Sequence, residues 1–181
     1  MKKVLSTTTI FSLLAILLTI GSCTKEDVIV LQNMEEYSYC VPASIYDGTT
    51  TQTFTLTQSQ IQAAFAAVGA TYNQDRIKNL NLKQISAQIT TNAATFNQIA
   101  GFEVYAKGPN TQGNGTQIAY IGNIENNATQ VTMLLNGAEL KELLNETSII
   151  ITLRVTTKPG GNDEICMKLT DGILAYTVSA E

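Results

Sequence analysis

Ser148-Ile149-Ile150-Ile151-Thr152-Leu153-Arg154-Val155-Thr156-Thr157 is the stretch whose reading decides the fold class. Ile149, Ile151, Leu153 and Val155 share one parity, and Ile150, Thr152, Arg154 and Thr156 share the other. A period of two carried by β-branched residues marks a strand with one buried face. Downstream, Pro159-Gly160-Gly161-Asn162 turns the chain, and Ile165, Met167 and Leu169 set the next inward face. Leu174, Tyr176 and Val178 set the last. Asp171-Gly172 between them is either a tight hairpin or a bulge within one long strand. The bulge is favoured, because a hairpin would leave the final strand isolated at the carboxyl terminus.

Upstream the same period recurs. Thr51 to Leu56 alternates, with Phe54 and Leu56 on one face. From Ile77 to Thr91, Leu80 and Leu82 share one parity while Ile85, Ala87 and Ile89 share the other, so a bulge or bend is expected near Lys83-Gln84. Phe102, Val104 and Ala106 begin another strand. Gln117 to Gly122 and Gln130 to Leu135 give two more, after the loop Gly108 to Gly115. Two stretches change to a helical period. Thr57-Gln58-Ser59-Gln60 has capping-box spacing before Ile61, Ala64, Phe65 and Val68, and Gly69 supplies a stop. Asn136-Gly137-Ala138-Glu139 caps a second short helix carrying Leu140, Leu143 and Leu144. The expected fold is mainly β, an antiparallel β-sandwich of about seven or eight strands with two short helices; a barrel is the second choice.

Composition narrows the chemistry. The 181 residues include no His and no Trp. Without His there is no Ser-His-Asp or Cys-His constellation, no His-ligated metal, and not the commonest general base. The chain has 11 basic and 15 acidic residues. Lys and Arg are scattered rather than clustered, so neither nucleic acid nor an anionic membrane surface is an expected electrostatic partner.

The amino terminus is the most explicit part of the chain. Lys2 and Lys3 precede the apolar run Ile10 to Ile20, and then come small residues, the order of a secretory signal peptide. The run falls short of the ~20 apolar residues that span a bilayer. Ile20-Gly21-Ser22-Cys23 resembles the lipobox of bacterial lipoproteins. The resemblance implies that Cys23 takes a diacylglyceryl thioether, that cleavage follows Ser22, and that the new amino terminus is acylated. Several acyl chains then make a durable anchor, where one binds only marginally. Lys25-Glu26-Asp27 resembles the surface-export signal of Bacteroidetes lipoproteins, which implies the cell surface of the outer membrane; its periplasmic face is the alternative. The expected organisation is a signal peptide at 1–22, a lipidated tether and arm at 23–48, and a sandwich domain at 49–181. Removal of 1–22 leaves 159 residues, with 9 basic and 15 acidic side chains. That is one domain's length. The domain resembles small β-sandwich lipoproteins of unknown function.

Candidate functional side chains are few. Cys40 and Cys166 are either a disulfide, closing a loop worth about 4–5 kcal/mol by chain entropy, or two buried thiols. Glu139, Glu142 and Glu146 fall on one strip of the second helix, expected to be a solvated face. Asp47, Asp163, Glu164 and Asp171 are either contributors to a calcium site or turn residues, and the turn reading is favoured because no Asp-x-Asp-x-Asp loop is present. Tyr37, Tyr39, Tyr46, Tyr105 and Tyr120 are either half-buried strand residues or platforms for a sugar or protein partner. The expectation is a non-enzymatic, lipid-anchored binding or structural module of the outer envelope, with no cofactor and no metal. Alternatives are a pilin-like subunit and, less favoured, a carboxylate-based glycoside hydrolase.

Overall fold

A computed structural model describes residues 27–45, 48–91, 94–160 and 163–180. Among the described residues the chain is mainly β, with two antiparallel sheets and a single α-helix, consistent with the expected sandwich. The strands are β1 (Val28–Asn33), β2 (Tyr37–Val41), β3 (Thr49–Thr57), β4 (Ile77–Ile89), β5 (Ile99–Lys107), β6 (Thr116–Gly122), β7 (Gln130–Thr132), β8 (Leu134–Leu135), β9 (Ser148–Thr157) and β10 (Ile165–Val178). The helix α1 is Gln58–Ala67. The first sheet has the order β1-β10-β4-β7, with β2 also on β10; the second has the order β3-β9-β5-β6-β8.

One core lies between them. The second sheet sends in Phe54, Leu56, Phe102, Val104, Ile149, Ile151, Leu153 and Val155; the first sends in Val30, Leu80, Leu82, Ile85, Met167, Leu169, Leu174 and Tyr176. The inward set of β9 is the one its alternation predicts, and each fully buried side chain of that size is worth about 1.5–3 kcal/mol. The capping box forms as spaced: Thr57 accepts from the Gln60 N–H, and Gln60 Oε1 accepts from the Thr57 N–H. Gly69, at φ +71°, ends the helix where a side chain would be strained. Phe65 is buried edge-on between the Tyr72 and Tyr176 rings.

Four expectations change. The arm of 23–48 belongs to the sheet from Val28 onward, because β1 and β2 pair with β10, so the folded domain begins well before residue 49. The second helix is a short 3₁₀ turn, Lys141–Asn145, which lacks a side-chain cap. Asn136 instead bonds the Ala138 N–H. The strand read over 130–135 divides at buried Met133: β7 joins β4 in the first sheet and β8 joins β6 in the second. Val68, expected on the buried helical face, is 58% exposed because it sits at the helix end rather than within it.

β10 is one 14-residue strand, so Asp171-Gly172 is a bulge and not a hairpin. Asp171 takes φ +54°, and a side chain at Gly172 would crowd Met34 at 3.0 Å. Its register with β4 shifts three times: the extra residue falls on β10 between Thr170 and Ile173, then on β4 between Gln84 and Leu82, and again on β4 between Asn79 and Ile77 near the strand end. The first two bulges oppose one another, so both strands exchange their inward parity in the same belt. The arm does likewise. Val30 and Gln32 face in before the belt, and Val41 faces in after it. Throughout, the arm keeps one register with β10, from Val28 opposite Val178 to Val41 opposite Ile165.

Candidate functional site

Cys23, Lys25 and Glu26 lie outside the described residues, as does the signal peptide of 1–22. Asp27 lies inside them, and its carboxylate takes two contacts from Lys78 Nζ on β4, at 2.7 and 2.9 Å. The last residue of the tripeptide is therefore held against the first sheet. Both partners are substantially exposed, so the pair contributes at most about 1 kcal/mol. It fixes position more than stability.

Cys40 and Cys166 are joined, and they are direct register partners on β2 and β10 with Cα atoms 4.0 Å apart. On the other side of β10 the Cys166 carbonyl accepts from the Thr90 N–H, while its own N–H donates to Thr91 Oγ1. With those groups turned toward β4, the Cys40–Cys166 pair is a non-hydrogen-bonded one, the closer kind of cross-strand pair. The bridge lies on the outer face of the first sheet, with Cys40 exposed, and so the reading as two buried thiols falls. The sequence offers the pair as a tie between the amino-terminal arm and a late strand, and the bridge locks the arm to the last strand, β10. A second tie is buried. Tyr176 on β10 donates to Gln32 Oε1 on β1, and Gln32 Nε2 donates to the Gln60 carbonyl of α1. Burial pushes the Tyr176 phenol well above its ordinary value of 10.0, so it stays neutral and a donor.

The outer face of the second sheet is different in kind. The registers place Thr51, Arg154, Glu103 and Tyr120 in one row across four strands. Thr53, Thr152, Tyr105 and Gln117 form the next. Four strands at ~4.8 Å spacing make a platform about 14 Å wide. Glu103 is its hub: Arg154 Nη1 lies 3.3 Å from one carboxylate oxygen, and the other accepts from Tyr105 Oη at 3.2 Å and Gln117 Nε2 at 3.1 Å. Beside it a hollow of about 330 Å³ is lined by Gly101, Glu103, Tyr120, Gly122 and Thr156. Tyr120 is 42% exposed. An exposed ring, fixed donors and acceptors, and a row of hydroxyls can stack on and hydrogen-bond to a polar ligand lying flat.

The five tyrosines therefore separate. Tyr37 stacks on Phe54, with centroids 4.2 Å apart, and Tyr39 bonds Thr50, so both close the seam between the sheets. Tyr105 and Tyr120 stand together on the platform. Tyr46 lies outside the described residues, as does Asp47. The carboxylate strip is not a strip. Glu139 accepts from the Leu80 and Lys141 N–H groups at 2.8 Å each, tying the 3₁₀ turn to β4, and Glu146 packs beside Gly108. Cys40, Cys166 and Glu164 approach one another closely, but the disulfide consumes both thiols as ligands. Asp171 serves the bulge. Sequence reasoning missed Glu103, Arg154, Gln117 and the threonine rows, whose only signal was the polar parity of β3, β5 and β9.

No helix among the described residues is long and apolar enough to cross a membrane. No protein-family model and no curated protein matches the chain. Among solved structures, a chain of Desmodium yellow mottle tymovirus is similar at 8% identity and a TM-score of 0.29, over 89% of this chain and 93% of that one. A likeness that slight carries no functional argument.

Proposed function

We propose that the protein is a non-enzymatic lipoprotein of a bacterial outer envelope, anchored through Cys23 and displayed at the cell surface. Its β-sandwich presents the outer face of the second sheet to a glycan or protein partner. The observation that carries this reading is the division of the molecule into a terminus-bearing sheet and a polar platform. The arm next to Cys23 is stapled along β10 by Cys40–Cys166, while the Glu103 cluster and Tyr120 lie on the other sheet. The platform is flat and built from hydroxyl, amide and paired ionic groups, chemistry that suits sugar hydroxyls better than an apolar ligand.

The pilin-like reading gains nothing from this arrangement. The first Arg of the mature chain is Arg76, whose carbonyl accepts from the Ser179 N–H at 2.8 Å. A cut there would leave the released segment still joined through Cys40–Cys166.

Two substitutions test the placement. Cys23→Ala releases the protein from the membrane pellet; retention in the pellet overturns the anchor. Replacing Lys25-Glu26-Asp27 by Ala leaves the protein lipidated but shielded from external protease, and unchanged cleavage of intact cells overturns surface display. Lys78→Ala is the control, since it removes the Asp27 ion pair without touching the tripeptide. For the platform, Tyr120→Ala with Arg154→Ala abolishes retention on a glycan or envelope-protein array; retention equal to that of the unaltered protein overturns it.

A further inference from the structure

Six large apolar side chains are strongly exposed among the described residues, and four of them lie on two elements that pack together, β1 and α1. Val28 (52% exposed), Ile29 (64%) and Leu31 (55%) lie on β1, and Val68 (58%) ends α1. Leu31 and Val68 line the same groove, about 320 Å³ in volume, whose floor includes Ala63 and Ala67. Soluble domains scatter such residues singly; three on one edge strand without a single Lys, Pro or bulge, with Val68 beside Leu31, mark an edge that is covered. What covers it follows from where the chain comes from. Asp27 is pinned to Lys78, so only Thr24, Lys25 and Glu26 separate the domain from Cys23. Four peptide steps reach at most about 14 Å. An acylated Cys23 sits at the bilayer interface, so this corner cannot leave its neighbourhood.

We propose that the β1–α1 corner is a membrane-seating surface: Val28, Ile29, Leu31 and Val68 rest in the interfacial layer of the bilayer that holds the lipid anchor. This inference rests on the Cys23 reading. The contact is apolar rather than electrostatic, since the neighbouring Asp27 and Lys78 neutralise each other and Glu35 bonds Gln60. It also sets the domain's posture. β3 and α1 flank the seated edge, whereas β6 and β8 lie at the opposite edge of the second sheet, which lifts Tyr120 away from the lipid.

The absence of Trp makes the test clean, because an introduced Trp is the sole indole. The mature lipidated protein is incorporated in neutral phosphatidylcholine vesicles with brominated acyl chains, in variants Ile29→Trp, Val68→Trp, Tyr120→Trp and Leu134→Trp. The expected result is a blue-shifted emission and loss of most intensity for the first two, with the last two unaffected. Adding Leu31→Ser to Ile29→Trp should restore part of the intensity while flotation with the vesicles is unchanged. Equal emission from all four in protein that floats overturns the seating and leaves the anchor intact. A blue shift without quenching, accompanied by a doubled mass in light scattering, assigns the corner to a second copy and also overturns it. Protein that fails to float removes the anchor reading, and the seating falls with it.

Discussion

The two sheets solve the same packing problem in opposite ways. In the second, β9 alternates without a break, its neighbours pair in nearly constant register, and the outer face is left free to carry Glu103, Arg154, Tyr105 and Tyr120. In the first, β4, β10 and the arm all exchange parity at one belt, and the arm's second strand, β2, is bonded covalently to β10, the last strand. The difference teaches a division of labour. On the proposed function, one sheet is held and the other is met.

The most severe way to break the comparison is to remove the arm. A chain beginning at Pro42 loses β1, β2, the staple and the buried Val30 and Val41, and it is expected not to fold, as judged by lost cooperativity in urea. Cooperative unfolding of that shorter chain would return 28–41 to the status of a tether. Next in size, Cys40→Ser with Cys166→Ser should cost about 4–5 kcal/mol if the closed loop acts through chain entropy. Hydrogen exchange should then show the loss first in β1 and β2, with β9 least affected.

A smaller effect is expected inside the first sheet. Tyr176→Phe leaves Gln32 Oε1 without its buried donor and should cost about 1–3 kcal/mol in urea unfolding. The same residue sets a pH dependence. Burial raises the folded-state pKa of Tyr176 above 10.0, so its contribution is complete below pH 10 and is lost as pH rises beyond that. Tyr37 and Tyr72 are raised by burial as well and act in the same direction. With no His to titrate near neutrality, stability should be level from pH 6 to 9 and fall above 10, less steeply in Tyr176→Phe. The smallest change in stability belongs to the second sheet. Arg154→Ala breaks a half-exposed ion pair and should cost no more than about 1 kcal/mol, while reducing partner capture far more than that.

How much of this was legible depends on how local each signal is. The inward faces of β3 and β9, the capping box at Thr57 and the stop at Gly69 depend on neighbours a few residues apart, and the sequence carries them directly. The parity switches at Lys83-Gln84 and Asp171-Gly172 were also visible, each in its own strand. That they oppose one another is a matter of register across some 90 residues of chain, which no local pattern encodes. The arm was misread for the same reason. Glu35 and Glu36 fall opposite the bulge, so the strand's period breaks there, and outward-facing Ile29 and Leu31 blur what remains. The platform was half legible: Tyr105 and Tyr120 could be named, but Glu103 gains Arg154 and Gln117 only when three strands are paired.

The proposed anchor at Cys23 is tested most directly by the mass of the amino-terminal peptide from membrane-purified protein. The expected peptide begins at Cys23 and carries a diacylglyceryl thioether and an acylated amino terminus. A peptide that begins at Met1, or a Cys23 bearing a free thiol in the membrane fraction, would contradict it.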